Sequence, residues 1–412
     1  MNNPRVFIII PTRERPETLV HSIRTALAQN YGNLEIIVSD NASGPQTHAA
    51  VAAFSDPRLR FQRAETVLAM RDSWEFALSA VKGEGFVHIM GDDNGLLPNA
   101  VETVLALARD TGTLAITGQA IEYVWPEIGG WMDVPLPRDG ILVNARRTLA
   151  NAFNLRIGWD RLPNINKGFI HTSVIADVRK WAAGRYFAAG IPDVYSAVAN
   201  AMCLDSYVYL NRPFIVNGAS RHSTGYNGGK DGTTSSFMQA ALAGGYRFHR
   251  DFPPCQSYYL GTYEPFAVAA DYSAQHGGVR YRVNKKRLLQ KAIYEEYVPM
   301  RRDWIGGDIQ EFARLHGLKA VLPEIPPQSA AVEPSPQLLT VTARGLRFES
   351  ALTPLPNVYE ASQVAAAVIV PGALPAALLN LSLRARLRAF VVDKILMGGR
   401  AIPSPMSNEP KT

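Results

Sequence analysis

Two adjacent carboxylates, Asp92 and Asp93, are the strongest chemical signal in the sequence. They follow an apolar run that ends at Met90. Adjacent carboxylates repel each other, so a cation or hydrogen-bond donors must offset their charges. Carboxylate oxygens suit Mg²⁺ or Mn²⁺, which also bind water and the oxygens of a diphosphate. The residues alone leave two interpretations open, a metal site and a solvated turn.

Polar residues near the N-terminus could approach a nucleotide. Thr12 and Glu14 lie in the loop after the first apolar run, where a hydroxyl and backbone amides can contact phosphates. Asp40 follows the second apolar run and could accept a hydrogen bond from a nucleobase. The alternative is that Asp40 caps the following helix or closes an Asx turn.

Three residues further along the chain could take part in catalysis. Asp193 follows a proline and precedes apolar residues at helical spacing, so it could cap a helix. It could instead be a general base that accepts the proton of a sugar hydroxyl. Arg221 could clamp a diphosphate, and His222 could bind a metal or phosphate. A lone loop histidine is, however, more often structural or solvated.

The elements that must position these residues alternate between strands and helices. Short apolar runs predict strands at 5–10, 34–39, 58–62 and 86–90, and apolar spacing predicts helices from Pro16 and over 70–81. Such β-α-β units form open sheets that bind ligands beyond the carboxyl ends of their strands, where the polar residues above would meet. From 114 to 225 the pattern is mixed, with β-rich runs at 114–125 and 169–176 and helices near Ala145 and Val194.

Composition excludes several classes of protein. The 412 residues predict two or three domains at roughly 100 to 200 residues each. With 47% apolar and 19% charged residues, the chain is neither disordered nor collagen-like. Two cysteines give no disulfide framework and no four-cysteine zinc site, which fits a reducing compartment. We expect a cytoplasmic protein, because the N-terminal apolar run is too short for a signal peptide. The uncharged stretch 361–383 contains Gln, Pro, Gly and Asn and is not expected to span a membrane.

The chain divides by composition into four predicted regions. They are an α/β domain at 1–225, a helical and basic extension at 226–322, a Pro-rich linker at 323–337 and a small C-terminal module at 338–412. Apolar residues at 379–391 follow helical spacing with arginines between them. This amphipathic helix could contact the inner face of a membrane, pack against the α/β domain or form an oligomer contact.

Four segments together resemble the family 2 glycosyltransferases, nucleotide-sugar-dependent enzymes with a GT-A fold. They are IIIPTRERPETLV at 8–20, LEIIVSDNASG at 34–44, MRDSWEFALSAVKGEGFVHIMGDDNGLLPNAV at 70–101 and GRYFAAGIPDVYSAV at 184–198. The resemblance covers roughly the first 225 residues, and it implies that these form the catalytic domain and that the extension at 226–322 shapes the acceptor side. It implies a Rossmann-like α/β fold, with a mixed, mostly parallel sheet flanked by helices and followed by a mostly helical extension.

The resemblance also implies roles for single residues. Asp193 would be the catalytic base, and Mg²⁺ or Mn²⁺ would bind Asp93, Asp92 and His222. The nucleotide-sugar would contact Pro11, Thr12, Glu14, Asp40, Arg71, Asp92 and Arg221. The sequence departs from the usual Asp-x-Asp pattern at Gly91, and Asn94 stands where a third Asp is common.

The predicted function is inverting transfer of a sugar, most simply from a UDP-sugar, to a saccharide or lipid-linked saccharide in bacterial surface polysaccharide synthesis. One alternative is a sugar-phosphate nucleotidyltransferase, which would need a basic, Gly-rich first loop, whereas PTRERPE has no glycine. The other is a non-catalytic module that binds nucleotide-sugars or nucleic acid, suggested by Asn94 and the basic residues at 280–302. We expect no nucleic-acid partner.

Overall fold

The computed structural model describes residues 3–223, 241–297, 303–323, 339–341, 345–349, 355–369 and 391–402. In chain order its strands are β1 (Arg5–Thr12), β2 (Leu34–Asp40), β3 (Leu59–Arg63), β4 (Gly85–Ile89), β5 (Gly95–Leu96), β6 (Ala115–Val124), β7 (Trp131–Pro135), β8 (Ile141–Asn144), β9 (Gly168–His171), β10 (Ser206–Ala219), β11 (Leu339–Val341), β12 (Gly345–Glu349) and β13 (Arg400–Ala401).

Its helices are α1 (Pro16–Leu27), α2 (Pro45–Ala52), α3 (Met70–Leu78), α4 (Ala100–Thr111), α5 (Ala145–Phe153), α6 (Thr172–Trp181), α7 (Pro192–Cys203), α8 (Tyr258–Gln275), α9 (Lys285–Lys291), α10 (Asp303–Leu315) and α11 (Val358–Val368). Short 3₁₀ turns lie at Pro126–Ile128 and Trp159–Arg161, and π-helical turns at Ala292–Tyr297 and Val391–Leu396.

Four parallel strands in the order β3-β2-β1-β4 form the N-terminal half of the sheet. The run Val6 to Ile10 of β1 is fully buried, because helices cover both faces of this part of the sheet. One face packs on Leu19, Ile23 and Ala26 of α1, the residues at the predicted helical spacing. The carboxyl ends of β1, β2 and β4 therefore meet at one edge.

Antiparallel pairing predominates in the other half of the sheet. Strand β9 pairs antiparallel with both β4 and β6, while β6 and β10 run parallel to each other. Strand β7 extends the sheet beyond β6. The mixed α/β sheet flanked by helices is confirmed.

Most predicted elements are present, with one correction among the β-rich runs. The run at 169–176 is a strand only as far as His171, and α6 follows it. The His171 imidazole Nδ1 accepts a 3.3 Å hydrogen bond from the amide of Ser173, which caps the new helix and ends the strand.

Described residues of the C-terminal half pack directly on the N-terminal half. Helix α8 packs against α7 in a shared apolar core, and β12 pairs with β7 at the sheet edge. Helix α11 packs against α1, where the Arg24 guanidinium lies 4.1 Å from the ring centre of Tyr359. The domain boundaries stay predictions.

The linker residues 324–337 and residues 379–390 of the predicted amphipathic helix lie outside the described residues. The membrane and oligomer contacts of that helix therefore stay predictions. Within the described ranges, every helix is too short or too polar to cross a membrane.

Candidate active site at the carboxyl edge of the sheet

The acidic turn, residues 91–94, directly follows β4 and is closed by a 3.1 Å bond from the amide of Asn94 to the carbonyl of Gly91. Its last side chain is structural, because Asn94 Oδ1 accepts a 2.8 Å hydrogen bond from the amide of Gly218. A Cβ atom on Gly218 would lie 1.7 Å from the carbonyl oxygen of Asp93, so only glycine allows this approach of β10.

Asp92 is buried and bound through both carboxylate oxygens. Thr12 Oγ1 donates to Oδ2 at 2.8 Å, and Arg15 Nη1 donates to Oδ1 at 2.9 Å. Burial raises the pKa of Asp92 above its ordinary value, although the Arg15 charge opposes this shift. Arg15 also donates through Nη2 to the carbonyl of His222, so one guanidinium joins the acidic turn to the loop after β10.

Asp93 is held by the loop after β10. Its Oδ2 accepts hydrogen bonds from the Ser220 hydroxyl at 2.8 Å, from the Ser220 amide at 3.3 Å and from the Ser223 hydroxyl. The described residues direct no hydrogen bond to Oδ1 of Asp93. Arg221 and His222 lie between the two serines, so the structure brings both beside the acidic turn.

The first loop and the end of β2 are joined through a second cluster. Asp40 is fully buried and accepts from the amide of Ser43 at 3.1 Å and from Arg63 Nη1 at 2.8 Å, so it closes an Asx-type turn rather than capping α2 at Gly44. Glu14 Oε1 accepts from the amide of Gly44 at 2.8 Å.

Pro11 is on β1 opposite Ser39 of β2, one residue before Thr12. Because Thr12 pairs with Asp40 on one side and bonds Asp92 on the other, the first loop links both carboxylates. The predicted nucleotide-contacting residues of the first two loops therefore share one edge of the sheet with the acidic turn.

Asp193 is in the first turn of α7, where the helix cap is Ile191. The helix start is anchored beside the end of β4, since the Ile165 carbonyl accepts from the amide of Ile89 at 3.1 Å and the Ser196 hydroxyl accepts from the amide of Ile165 at 3.5 Å. Burial raises the pKa of the Asp193 carboxyl, and the Val194 amide and the Lys167 charge partly offset this rise.

Lys167 is close to Asp193 and to a second carboxylate. Its Nζ lies 3.6 Å from Glu122 Oε1, and its side chain is mostly buried. Burial lowers the pKa of Lys167, but Glu122 and the neighbouring carboxylates outweigh burial and raise it. The ammonium group therefore stays charged near the candidate base.

Arg71 lies apart from the contacts that organise the acidic turn. Its guanidinium pairs with Asp72, with 3.3 Å from Nε to Oδ1, and lies 5.0 Å from the ring centre of Tyr246. It lines a small cleft with Gly190, three residues before Asp193.

Sequence reasoning missed four residues that organise the site: Arg15, Lys167, Ser220 and Ser223. Three of them lie within runs that the motifs already contain, PTRERPE and GASRHS. The signal that could have identified these three is that each is a charged or hydroxyl residue close in sequence to a predicted site residue. No sequence pattern indicates a role for Lys167, because only the fold brings the segment before β9 close to α7.

The carboxylate oxygens of the acidic turn fit a divalent cation that takes most of its ligands from the substrate. Asp93 Oδ1 is the carboxylate oxygen to which the described residues direct no hydrogen bond, and both oxygens of Asp92 already accept hydrogen bonds. Within the described ranges no three His, Cys, Asp or Glu side chains cluster in a way that could hold a metal. Mg²⁺ and Mn²⁺ sites with one or two carboxylates are completed by phosphate oxygens and water.

Residues 7–154 match the family model described as glycosyl transferase family 2. This segment contains the first loop, the Asp40 turn and the acidic turn, whereas Asp193, Arg221 and His222 lie beyond it. Over these residues the chain is similar to glycosyl transferase family 2, which confirms the resemblance.

Curated relatives match the same part of the chain. WcaA of Escherichia coli K12, named for glycosyl transfer in colanic acid biosynthesis, is 30% identical over 128 residues, which are 30% of this chain and 44% of WcaA. The Escherichia coli UDP-Glc:alpha-D-GlcNAc-diphosphoundecaprenol beta-1,3-glucosyltransferase WfgD is 28% identical over 107 residues, which are 26% of this chain and 42% of WfgD. The match thus spans less than half the length of either relative.

Among solved structures, Staphylococcus aureus TarS in complex with UDP-GlcNAc is similar with a TM-score of 0.43 and 13% identity, over 76% of this chain and 83% of that chain.

Proposed function

We propose that the protein is an inverting glycosyltransferase that moves a sugar from a nucleotide-sugar donor to a saccharide or lipid-linked saccharide. The observation that carries this proposal is the acidic turn, fixed at the carboxyl edge of a sheet that matches the family 2 model, with one oxygen of Asp93 that accepts no hydrogen bond from the described residues. We further propose a UDP-sugar as donor and bacterial surface polysaccharide synthesis as the process. Support comes from the names of WcaA and WfgD, which give colanic acid biosynthesis for one and UDP-Glc with a diphosphoundecaprenol acceptor for the other.

The donor half of the site would bind the nucleotide along the ends of β1, β2 and β4. Asp40 stays a prediction for the contact with the base, because Ser43 and Arg63 hold its carboxylate in a fully buried position. Thr12 and Glu14 would line the nucleotide pocket, and Asp92 would face the ribose and diphosphate. Pro11 and Arg71 stay predictions for the same pocket.

The diphosphate would lie between the acidic turn and the loop after β10. Arg221 would clamp it, because a guanidinium binds phosphate oxygens through two parallel hydrogen bonds. Mg²⁺ or Mn²⁺ would be held by Asp93, with Asp92 and His222 as further candidates. A bound cation would neutralise the negative charge that develops on the departing nucleoside diphosphate.

Asp193 would act as the base on the opposite side of the reacting carbon. The acceptor hydroxyl loses its proton as its oxygen bonds the anomeric carbon and the bond to the diphosphate breaks. A carboxylate with a raised pKa is a better proton acceptor, and burial raises the pKa of Asp193. The displacement occurs in one step and inverts the anomeric centre.

Calorimetric titration with UDP, GDP and dTDP, each with Mn²⁺ and again with EDTA, tests the donor site. We expect metal-dependent binding of UDP in the wild type and its loss in Asp93→Ala. Asp193→Asn should keep this binding but lose transfer from UDP-glucose to a GlcNAc-diphosphate lipid. No nucleotide binding by the folded protein, or full turnover in Asp193→Asn, would contradict the proposal.

A further inference from the structure

The first turn of α8 lies against the first turn of α7, beside the candidate base. A Cβ atom on Gly261 of α8 would lie 4.0 Å from Cδ1 of Ile191, which caps α7 two residues before Asp193. The two helices pack along a shared apolar core that contains Leu260 and Val194. The start of α8 therefore forms a wall next to Asp193. This wall comes from a segment that lies beyond the residues matched by the family 2 model.

Two carboxylates fix the backbone of this turn. Glu296, only 3% exposed, accepts from the amide of Tyr258 at 2.6 Å and from the amide of Tyr259 at 3.1 Å. Asp308 accepts from the amides of Gln256 at 2.6 Å and Ser257 at 2.8 Å. Four consecutive amides that a helix start leaves without partners are thus satisfied by negative charges, which the helix dipole also favours.

The side chain of Tyr258 is 56% exposed although its backbone is fixed in this way. The Tyr258 hydroxyl hydrogen-bonds the Trp159 side chain and lies close enough to Asp193 and Lys167 for their charges to act on it. The adjacent Tyr259 has a structural contact instead, because its hydroxyl donates a hydrogen bond to Glu295. The exposed Tyr258 ring, next to the candidate base, therefore has surface available for a substrate.

We propose that Tyr258 is the platform of an acceptor subsite, on which the apolar face of a pyranose ring stacks while one of its hydroxyls points to Asp193. The inference rests on the proposed function and assigns the substrate class that this wall would bind. The C–H bonds on one face of a pyranose carry partial positive charge and match the negative face of an aromatic ring. Lys167 and Asp193 supply hydrogen-bonding groups for its hydroxyls.

The subsite belongs to the acceptor rather than to the donor. The nucleotide would bind along the ends of β1, β2 and β4, which lie within residues 7–154. Tyr258 comes instead from the extension after residue 225. Changes at this residue should therefore alter carbohydrate binding while leaving nucleotide binding intact.

The test compares wild type with Tyr258→Ala and Tyr258→Phe, and with Tyr294→Ala as the control, because Tyr294 is 64% exposed in another part of the extension. Binding of methyl glucopyranoside, methyl galactopyranoside and methyl N-acetylglucosaminide is followed by saturation-transfer NMR with UDP and Mn²⁺ present. UDP affinity and the thermal midpoint of each variant are measured alongside.

We expect at least one pyranoside to bind the wild type and Tyr294→Ala equally. Its affinity should fall about tenfold in Tyr258→Ala, equivalent to about 1.4 kcal/mol, and stay near wild type in Tyr258→Phe, which keeps the ring. Unchanged pyranoside binding in Tyr258→Ala, or no pyranoside binding by a wild type that binds UDP, would overturn the subsite alone. A wild type that does not bind UDP would count against the proposed function itself.

Discussion

Arg15 and Asp92 form an ion pair at the carboxyl edge of the sheet, with 2.9 Å between Nη1 and Oδ1. The side chain of Asp92 is 4% exposed and that of Arg15 is 24% exposed, so solvent screens this pair only partly. Because Arg15 also binds the carbonyl of His222, it holds together the first loop, the acidic turn and the loop after β10. The pair links the nucleotide and metal halves of the candidate site.

Replacing Arg15 with Met should destabilise the protein and weaken nucleotide binding. The substitution leaves the buried Asp92 carboxylate without its positive partner, a change that costs about 3 kcal/mol in comparable buried pairs. Chemical denaturation would measure the free energy of unfolding, and calorimetry would measure UDP affinity. Arg13→Met is the matched control, since Arg13 is exposed in the same loop. Equal losses in both variants would contradict a specific role for Arg15.

Replacing Ser220 or Ser223 with Ala should weaken metal-dependent UDP binding. Each hydroxyl donates to Asp93 Oδ2, and each lost hydrogen bond to a charged group costs about 1.5–3 kcal/mol. The double variant should lose more than either single variant because Asp93 then keeps only the Ser220 amide. UDP titration with Mn²⁺ and with EDTA separates this effect from metal-independent binding. In an Asp93→Asn background the serine substitutions should have a smaller effect, and an undiminished effect would show that they act elsewhere.

Much of the α/β region at the N-terminal end is predictable because its signals are local. The apolar run before Pro11 and the spacing of Leu19, Ile23 and Ala26 predict β1 and α1 from short stretches of sequence. The acidic turn is equally visible, since two adjacent carboxylates follow a buried strand. Asp40 is only partly predictable from the sequence. Its Asx-type turn is one of two interpretations that the sequence leaves open, and its ion pair with Arg63 depends on the register between β2 and β3.

Contacts between distant segments were beyond sequence reasoning. The bond from Ser220 to Asp93 spans 127 residues, and no periodicity in either segment points to the other. The same applies to Tyr258, whose segment gave only weak signals, although α8 packs on the helix that carries Asp193. Asn94 stands where a third Asp is common, and its side-chain oxygen accepts a hydrogen bond from the amide of Gly218, which the sequence does not indicate.

Replacing Gly218 with Ala should disrupt the acidic turn. The added methyl group would lie 1.7 Å from the backbone carbonyl of Asp93, and neither strand β10 nor the turn can move without breaking the Asn94 bond. We expect a loss of more than about 3 kcal/mol in the free energy of unfolding, or no folded protein. Gly32→Ala is the control, because its added Cβ would have open space around it. A Gly218→Ala variant with wild-type stability and UDP affinity would contradict this packing.

Transfer activity should fall as the pH is lowered through the pKa of Asp193. Burial raises this pKa above the ordinary aspartate value of about 3.9, so the acid limb of the kcat/KM profile should lie above pH ~4. The same shift means that ionised Asp193 costs stability at neutral pH; this cost shrinks as the pH falls through the folded-state pKa and is gone below the unfolded-state pKa.

Removing the charge of Lys167 should move that acid limb to higher pH. The ammonium group favours the ionised form of Asp193, so Lys167→Met should raise the pKa of Asp193 further. The kcat/KM profile from pH 4 to pH 8 measures the shift. Lys180→Met is the control, because Lys180 is exposed and pairs with Asp177 on its own helix. An acid limb that does not move in Lys167→Met would show that the Lys167 charge does not influence the base. A shift to lower pH would show that the interaction has the opposite sign.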